Sequence, residues 1–371
     1  MRFLHTADWH IGKTLNGFSL LDDQLVTFKQ IEKIAIAEKV DAVVIAGDLY
    51  DRSIPNEAAV KALNQMLQQL NLQDQFPILA ISGNHDSAAR LSTGADWFSF
   101  QDFYLTTTLA GAFEPVTIKD TQFFLLPFFG IQEVRNYFGD DTIKNVNDAM
   151  RRIVAAMVER FAADKQHVLV AHFFAAGSKR TADSETLIEV GGLSAVTTDT
   201  LAPFDYVALG HLHNRNALQE ERIKYSGSPL KFSVSEAKQE KGVWLVDTAP
   251  FTVKWIPLSP VHDIHLLKGS FAELVATAND HPRDDFYDIE LTDHQRIPDV
   301  LNKLREHYSR IVSLHRTHQA QAITTRANQQ RAKESPMDLL ADFYQQTMGI
   351  SLSADQRRWA EDTLTTVEKE D

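Results

Sequence analysis

The 371-residue chain contains no cysteine. Neither a disulfide framework nor a thiolate metal site is therefore open to it. Basic charge is also short: 37 Lys and Arg stand against 50 Asp and Glu, a net charge of −13. A nucleic-acid-binding domain is usually basic, so this deficit stands against a DNA partner until its distribution is known. Long apolar runs are missing too. The longest, Phe123 to Ile131, is broken by Pro127 and Gly130, and it falls short of the roughly 20 residues that span a bilayer. Asp8 and His10 interrupt the apolar start before a signal peptide takes shape. A soluble cytoplasmic protein without membrane contact is expected. No Walker A sequence and no internal repeat is found, which argues against P-loop ATP hydrolysis. What is present is ordinary globular composition, 44% hydrophobic and 23% charged, with length for two or three domains.

The first 90 residues alternate strand and helix. Arg2–Thr6 is a short apolar run. Leu25, Phe28, Ile31, Ile34 and Ala35 fall at helical spacing within Gln24–Glu38. Asp41–Gly47 is β-rich and apolar, as a strand buried on both faces should be. Asn56–Leu70 predicts a helix with Asn56 as its N-cap, and Pro77–Ser82 a third strand. The β-α-β-α-β order implies a largely parallel sheet. Further strands are expected at Phe123–Phe129, Val168–Ala171, Tyr206–Gly210 and Val243–Val246. After about Pro260 a compact β-α-β-α-β unit follows: His262–Leu267, Phe271–Ala278, Phe286–Leu291, Pro298–His307 and Ile311–Leu314. Thr317–Ser335 lacks an apolar stripe and predicts a linker or a solvated helix. Two short helices close the chain. Ser335 and Pro336 start the first, with Leu340, Phe343 and Tyr344 on one side, and Gly349 stops it. Ser353 and Gln356 have capping-box spacing, and Trp359, Ala360, Leu364 and Val367 give the second an apolar face. The expected organisation is residues 1–260, the main α/β body; 261–316, a small α/β cap; 317–335, a linker; and 336–371, a helical pair that docks a partner.

Polar punctuation falls at the C-terminal ends of the apolar runs, the edge where ligands bind in open α/β sheets. Asp8-Trp9-His10, Gly47-Asp48, Gly83-Asn84-His85-Asp86, His172 and His211-Leu212-His213 appear in that order. Each is weak alone, since an Asp there is often a helix cap and a His a satisfied polar residue. Seven donors, Asp8, His10, Asp48, Asn84, His172, His211 and His213, all at strand ends, form a joint pattern that is not. Carboxylate and imidazole suit Mn, Fe or Zn better than Mg or Ca. Two metals about 3.5–4 Å apart need a shared ligand, and Asp48 stands between the other clusters.

These motifs resemble the calcineurin-like metallophosphoesterase signature: D-x-H, G-D, G-N-H-D, a lone His, then G-H-x-H. Within the motifs, HTADWHIGK, GDLYDR, SGNHDSAARL, GHLH and Tyr225-Ser226-Gly227-Ser228-Pro229 are similar to the bacterial SbcD nuclease-subunit family. The match covers Met1 to about Pro229; the cap and tail agree in length and order. The resemblance implies an α/β metallophosphoesterase sandwich of mixed β-sheets flanked by helices, with a small α/β capping domain and a C-terminal helical pair. It implies that Asp8, His10 and His213 bind one metal, that Asn84, His172 and His211 bind a second, and that Asp48 bridges. His85 would face the phosphate as a catalytic residue, and Asp86 would orient it or else cap the next helix. The metals are expected to be Mn2+, with Mg2+ or Fe2+ as alternatives. Asp51 stands where archaeal and eukaryotic relatives commonly carry a second His, so it is assigned no catalytic role.

The charge is uneven. From Arg296 to Glu334 there are eight basic and three acidic residues, and from Pro336 to Asp371 three basic and eight acidic. Removing the tail's −5 from −13 leaves −8. The chain alone is therefore expected to hold DNA weakly, through Lys13, Arg52 and Arg90 and its metals, with Lys179 and Arg180 as additional basic groups. The resemblance implies an SbcC-type coiled-coil ATPase partner, docked on the tail helices, and a homodimer within a heterotetramer. Val60, Leu63, Leu67 and Leu70 offer a seam-like stripe for the dimer. The implied function is a 3′-5′ double-strand exonuclease and single-strand or hairpin endonuclease in DNA repair and recombination, cytoplasmic and nucleoid-associated. The alternatives weighed are a small-molecule or cyclic-nucleotide phosphodiesterase and a non-catalytic scaffold; the seven-donor set speaks against the scaffold.

Overall fold

The computed structural model describes residues 1–181, 195–293, 295–317, 335–348 and 351–367. Residues 318–334 of the expected linker, the stop at Gly349 and the side chains of Leu364 and Val367 lie outside the described residues. The chain divides into two compact units, residues 1–289 with 297–314, and residues 290–296 with 315–371.

The first unit is built on two sheets packed face to face. One has the strand order Phe251–Pro257, Gly242–Thr248, Arg2–Thr6, Ala42–Ile45, Ile78–Ile81, Phe103–Thr106; the last four run parallel and the first two are antiparallel additions. The other has the order Ile223–Tyr225, Tyr206–Gly210, Gln166–His172, Thr121–Leu126, Val116–Ile118, parallel except for the final pair. The strands of the first 90 residues pair in parallel as expected, and the sheet as a whole is mixed because the chain returns antiparallel along the free edge of Arg2–Thr6 after residue 240.

Residue alternation explains the layering. In Ala42–Ile45 every residue is buried. Ala42 and Val44 face the opposite sheet, where they join Phe3, Leu79, Phe123, Val168 and Tyr206. Val43 and Ile45 face helices Leu21–Ala37 and Glu57–Gln68 through Phe28, Ile31, Leu63 and Met66. The side-chain period of two thus gives one strand two apolar faces. The second sheet is covered in the same way by helices Ile131–Phe138 and Val146–Val158, through Val134, Met150, Ile153 and Met157. Phe3 stands edge-on to Phe123 and Tyr206 at 5.3 and 5.8 Å between ring centroids.

Asn56 caps its helix as expected, accepting the Ala59 N–H at 2.8 Å. Leu63 and Leu70 of the expected dimer stripe are consumed by the chain's own core, with 1% and 0% exposure, whereas Val60 is 37% exposed. The small three-stranded sheet, in the order Ile264–Gly269, Phe286–Leu291, Arg310–Arg316, meets the body through Leu15, Leu20, Leu230, Phe232, Ile264, Phe286 and Val312.

In the second unit, helices Pro336–Met348 and Ala354–Val367 are joined by the Gln356 amide, which donates to the Tyr344 hydroxyl at 3.1 Å. Ser353 and Gln356 exchange both capping-box hydrogen bonds. Phe343 and Trp359 are exposed. Among the described residues no helix is long and apolar enough to cross a membrane.

Candidate metal centre

The parallel strands of both sheets end at one edge, and their outgoing loops bring all seven expected donors together. Asp8, His10, Asp48 and His211 each have a positive φ, at 52°, 45°, 50° and 95°. Such conformations cost of order 1–3 kcal/mol each and persist only where neighbours over-determine them. Here the loops lace together: the Asp8 N–H donates to the Gly47 carbonyl at 3.1 Å, His10 to Asp48 at 2.9 Å and Ile11 to Leu49 at 2.9 Å. Gly47, with φ +90°, lies so close to His172 that a Cβ would collide with its ring.

Asp48 sits at the centre. Its Oδ2 is 3.5 Å from His10 Nε2 and 3.3 Å from His172 Nε2, and its Oδ1 accepts the His85 N–H at 2.9 Å. Nε2 of His10 and Nε2 of His213 face each other at 3.1 Å. The Asn84 side-chain oxygen lies between two imidazoles, 2.9 Å from His172 Nε2 and 3.0 Å from His211 Nδ1. Asp8 Oδ1 accepts the His211 N–H at 2.8 Å, while its Oδ2 is buried without a hydrogen-bond partner. Three potential ligand groups overlap here: Asp8, His10 and His213; Asp8, Asp48 and His172; and His10, Asp51 and His85.

The electrostatics fit a cation. Burial opposes charge on Asp48, yet His172 and His10 hold its carboxyl far below the usual carboxylate range. Burial likewise opposes charge on His172, but Asp48 and Asp8 push its imidazole up to about 9. The Ala46 carbonyl accepts the His172 Nδ1–H at 2.8 Å. The other ring proton then sits on Nε2 among oxygens, the position a divalent cation would take. Burial raises Asp8, depresses His10 well below its ordinary value and brings His211 down to about 3. Those two imidazoles are neutral and ligand-ready. Buried carboxylates, bare imidazole nitrogens and an orphaned carboxylate oxygen together suit divalent metals.

His85 stands beside this group, half-buried, its ring perpendicular to that of His10 with centroids 4.7 Å apart. Its Nδ1 is 2.9 Å from the Asp51 carbonyl oxygen, so that main-chain group orients the ring. Asp86 was expected to orient His85 or to cap the next helix. Instead its carboxylate accepts the backbone N–H groups of Gly83, Tyr50 and Leu49 at 2.9, 2.9 and 3.1 Å. It clamps the Asp48 loop to the Asn84 loop, and helix Ala88–Leu91 has no side-chain cap. Asp51 takes Lys13 at 2.8 Å and Arg52 at 3.5 Å, and lies 3.8 Å from His10 Nδ1. Of the expected DNA contacts, Lys13 is thus paired with Asp51 and Arg52 is 75% exposed. Arg90 lines an apolar cavity of about 670 Å3 with Val60, Leu63 and Trp97.

Two charged residues near the site were not flagged by any motif. Glu236 and Lys241 are buried behind His213, in a stretch where Ser235, Lys238 and Glu240 are exposed. A charge among surface charges carries no local signal, and only the fold separates these two from their neighbours.

Two stacked sheets with carboxylates, imidazoles and an amide oxygen at their shared strand-end edge define the metal-dependent phosphoesterase class. A family model described as calcineurin-like phosphoesterase matches residues 1–215, and one described as type 5 capsule protein repressor C-terminal domain matches residues 260–348. The SbcD subunit of the SbcCD nuclease of Staphylococcus epidermidis is 35% identical over 318 residues, 85% of each chain. Its counterpart in Staphylococcus saprophyticus subsp. saprophyticus is 32% identical over 376 residues, spanning 100% of this chain and 99% of that one. The solved structure of TT1561 of Thermus thermophilus covers 70% of this chain and 99% of its own at 11% identity, with a TM-score of 0.41. The chain belongs to the calcineurin-like phosphoesterases and, within them, to the family of SbcD subunits.

Proposed function

We propose that the chain is the nuclease subunit of a DNA-processing complex, acting as a 3′-5′ double-strand exonuclease and a single-strand or hairpin endonuclease. The supporting observation is the convergence of all seven donors at one edge of a chain that matches an SbcD relative from end to end. Asp8, His10 and His213 would hold one cation and Asn84, His172 and His211 a second, with Asp48 a ligand available to both; Mn2+ is the proposed ion. Bound there, two divalent cations neutralise a phosphodiester and supply a nucleophile from water near neutral pH.

The rest is done by the chain's own groups. His85, with Nδ1 held by the Asp51 carbonyl, presents Nε2 toward the phosphate. There it donates to the developing charge or protonates the leaving sugar oxygen. Asp86 keeps the Asp48 and Asn84 loops in register. Arg52 and Arg90 meet the DNA backbone, and Lys13 does so from its pairing with Asp51. Residues 261–316 act as a cap over the substrate. The helical pair 336–371 docks an SbcC-type coiled-coil ATPase in a heterotetramer with two copies of this chain.

The test is to incubate the pure chain, with and without the ATPase partner, with Mn2+ and duplex DNA, hairpin DNA or a cyclic nucleotide. His85→Ala is run in parallel. DNA cleavage that falls at least about 100-fold in the variant, with metal content unchanged, is expected. Turnover of the cyclic nucleotide alone would make the chain a small-molecule phosphodiesterase. No turnover in any arm would leave a scaffold.

A further inference from the structure

His213 is backed by a buried ion pair. Glu236, on the single turn Val234–Glu236, has no exposed surface, and Lys241, just before strand Gly242–Thr248, is 6% exposed. Glu236 Oε1 lies 3.3 Å from His213 Nδ1 and accepts the Ser233 hydroxyl at 3.3 Å. Glu236 Oε2 receives the Lys241 ammonium, and the Ser228 hydroxyl at 3.4 Å. Lys241 also donates to the His213 carbonyl and to Ser228 Oγ, each at 2.9 Å, and to Gln239 Oε1 at 3.0 Å. Phe232 stands edge-on to His10 and His213, with centroids 5.4 and 5.6 Å away, and walls this network with apolar surface.

A buried ion pair is a poor source of stability, because desolvation cancels much of the attraction. Its placement is more informative. The geometry points to Glu236 as a positioning residue for His213, with Lys241 as its counter-charge. By accepting the Nδ1–H, Glu236 fixes the ring proton on that nitrogen and sets the ring's orientation. Nε2 then carries the ring's lone pair toward the Asp8–His10–His213 group, 3.1 Å from His10 Nε2. A ligating imidazole that donates its other N–H to a carboxylate is held in one tautomer and is the more basic for it. Lys241 compensates the carboxylate's charge and, through the His213 carbonyl, ties down the same residue's main chain. The inference rests on the reading of this donor group as a metal site.

Calorimetric titration of the full chain with Mn2+ tests it, using two uncharged double variants of similar volume. Glu236→Gln/Lys241→Met keeps an acceptor for the His213 N–H; Glu236→Leu/Lys241→Met removes it. Neither leaves a buried charge unpaired, so both are expected to fold, and thermal unfolding without metal checks this. The wild type should bind two ions. The Leu/Met variant should bind one of them 10–100-fold more weakly with the other unchanged, and the Gln/Met variant should stay within a few-fold of wild type. A general structural defect would instead weaken both sites and lower both variants together, which would overturn the proposal. So would a Leu/Met variant that binds both ions normally. A wild type that binds no Mn2+ overturns the metal reading itself, and this inference with it.

Discussion

At Gly83 the absence of a side chain is a structural requirement. A Cβ there would collide with both the carboxylate and the backbone nitrogen of Asp48, which cannot withdraw because His10, His172 and His85 all lie against that carboxylate. Gly17 makes a good control: its φ is +93°, yet nothing lies within 4 Å of the place a Cβ would occupy. Gly17→Ala should therefore cost only backbone strain, about 1 kcal/mol. Gly83→Ala should cost about 1–3 kcal/mol through overpacking and should also displace Asp48, weakening Mn2+ binding. Urea unfolding and metal titration of the two variants check this. Unchanged metal binding in Gly83→Ala would show that close approach at Gly83 does not shape the site.

Among the elements, the pairing of Arg2–Thr6 with Gly242–Thr248 carries a pH-dependent contact. Arg2 and Asp247 lie opposite each other in register, and the guanidinium makes hydrogen bonds of 2.9 and 3.1 Å to the carboxylate. Those bonds hold Asp247 below its ordinary 3.8, against a smaller effect of burial. A depressed carboxyl stabilises the fold above its unfolded pKa, and the contribution disappears as pH falls through the folded value. Arg2→Met should therefore destabilise by about 0.5 kcal/mol near neutral pH, a modest figure because solvent screens the half-exposed pair. The deficit should shrink as pH falls below 3.8 and the folded carboxylate takes up its proton. Urea midpoints at neutral pH and below 3.8 decide it; a deficit independent of pH would assign the effect to packing of the arginine stem and to its bond to the Glu38 carbonyl, at 3.2 Å. This contact was not legible in the sequence, since residues 2 and 247 reveal nothing of each other until the return strand is placed. What was legible is what local chemistry writes: the donors at strand ends, the Asn56 cap, the Ser353–Gln356 capping box and the doubly apolar strand Ala42–Ile45. Helix Val146–Val158 is absent from the expected elements although Asn145 caps it, accepting the Asp148 N–H at 2.9 Å. The edge strands Val116–Ile118 and Ile223–Tyr225, three residues each, owe their conformation to the neighbour they pair with rather than to their own pattern. The clamp made by Asp86 is illegible for a related reason: only the approach of two loops distant in sequence gives its carboxylate three backbone partners.

For the molecule as a whole, the −13 charge and the division into two units lead to one expectation. The potential ligand groups, Asp8, His10 and His213, then His10, Asp51 and His85, then Asp8, Asp48 and His172, lie wholly in the first unit, among the described residues. Buried carboxylates there repel one another unless protons or cations intervene. Bound Mn2+ would hold together strands that arrive from residues 8, 48, 84, 172, 211 and 213, so its stabilisation belongs to the whole two-sheet body. Each site filled at about 100 times its dissociation constant adds about 2.7 kcal/mol, so amides that exchange only on global opening should slow at least about 100-fold. Backbone hydrogen exchange followed by mass spectrometry, with Mn2+ or with a chelator, reads this segment by segment. Strands Arg2–Thr6, Ala42–Ile45, Ile78–Ile81, Gln166–His172 and Tyr206–Gly210 should gain protection together. Helices Pro336–Met348 and Ala354–Val367, which contribute no donor, should exchange at the same rate in both conditions. Protection gained equally in those helices would mean that the two units unfold as one. Protection confined to the loops at residues 8–10 and 211–213 would mean that a single ion closes one end of the site without bracing the sheets.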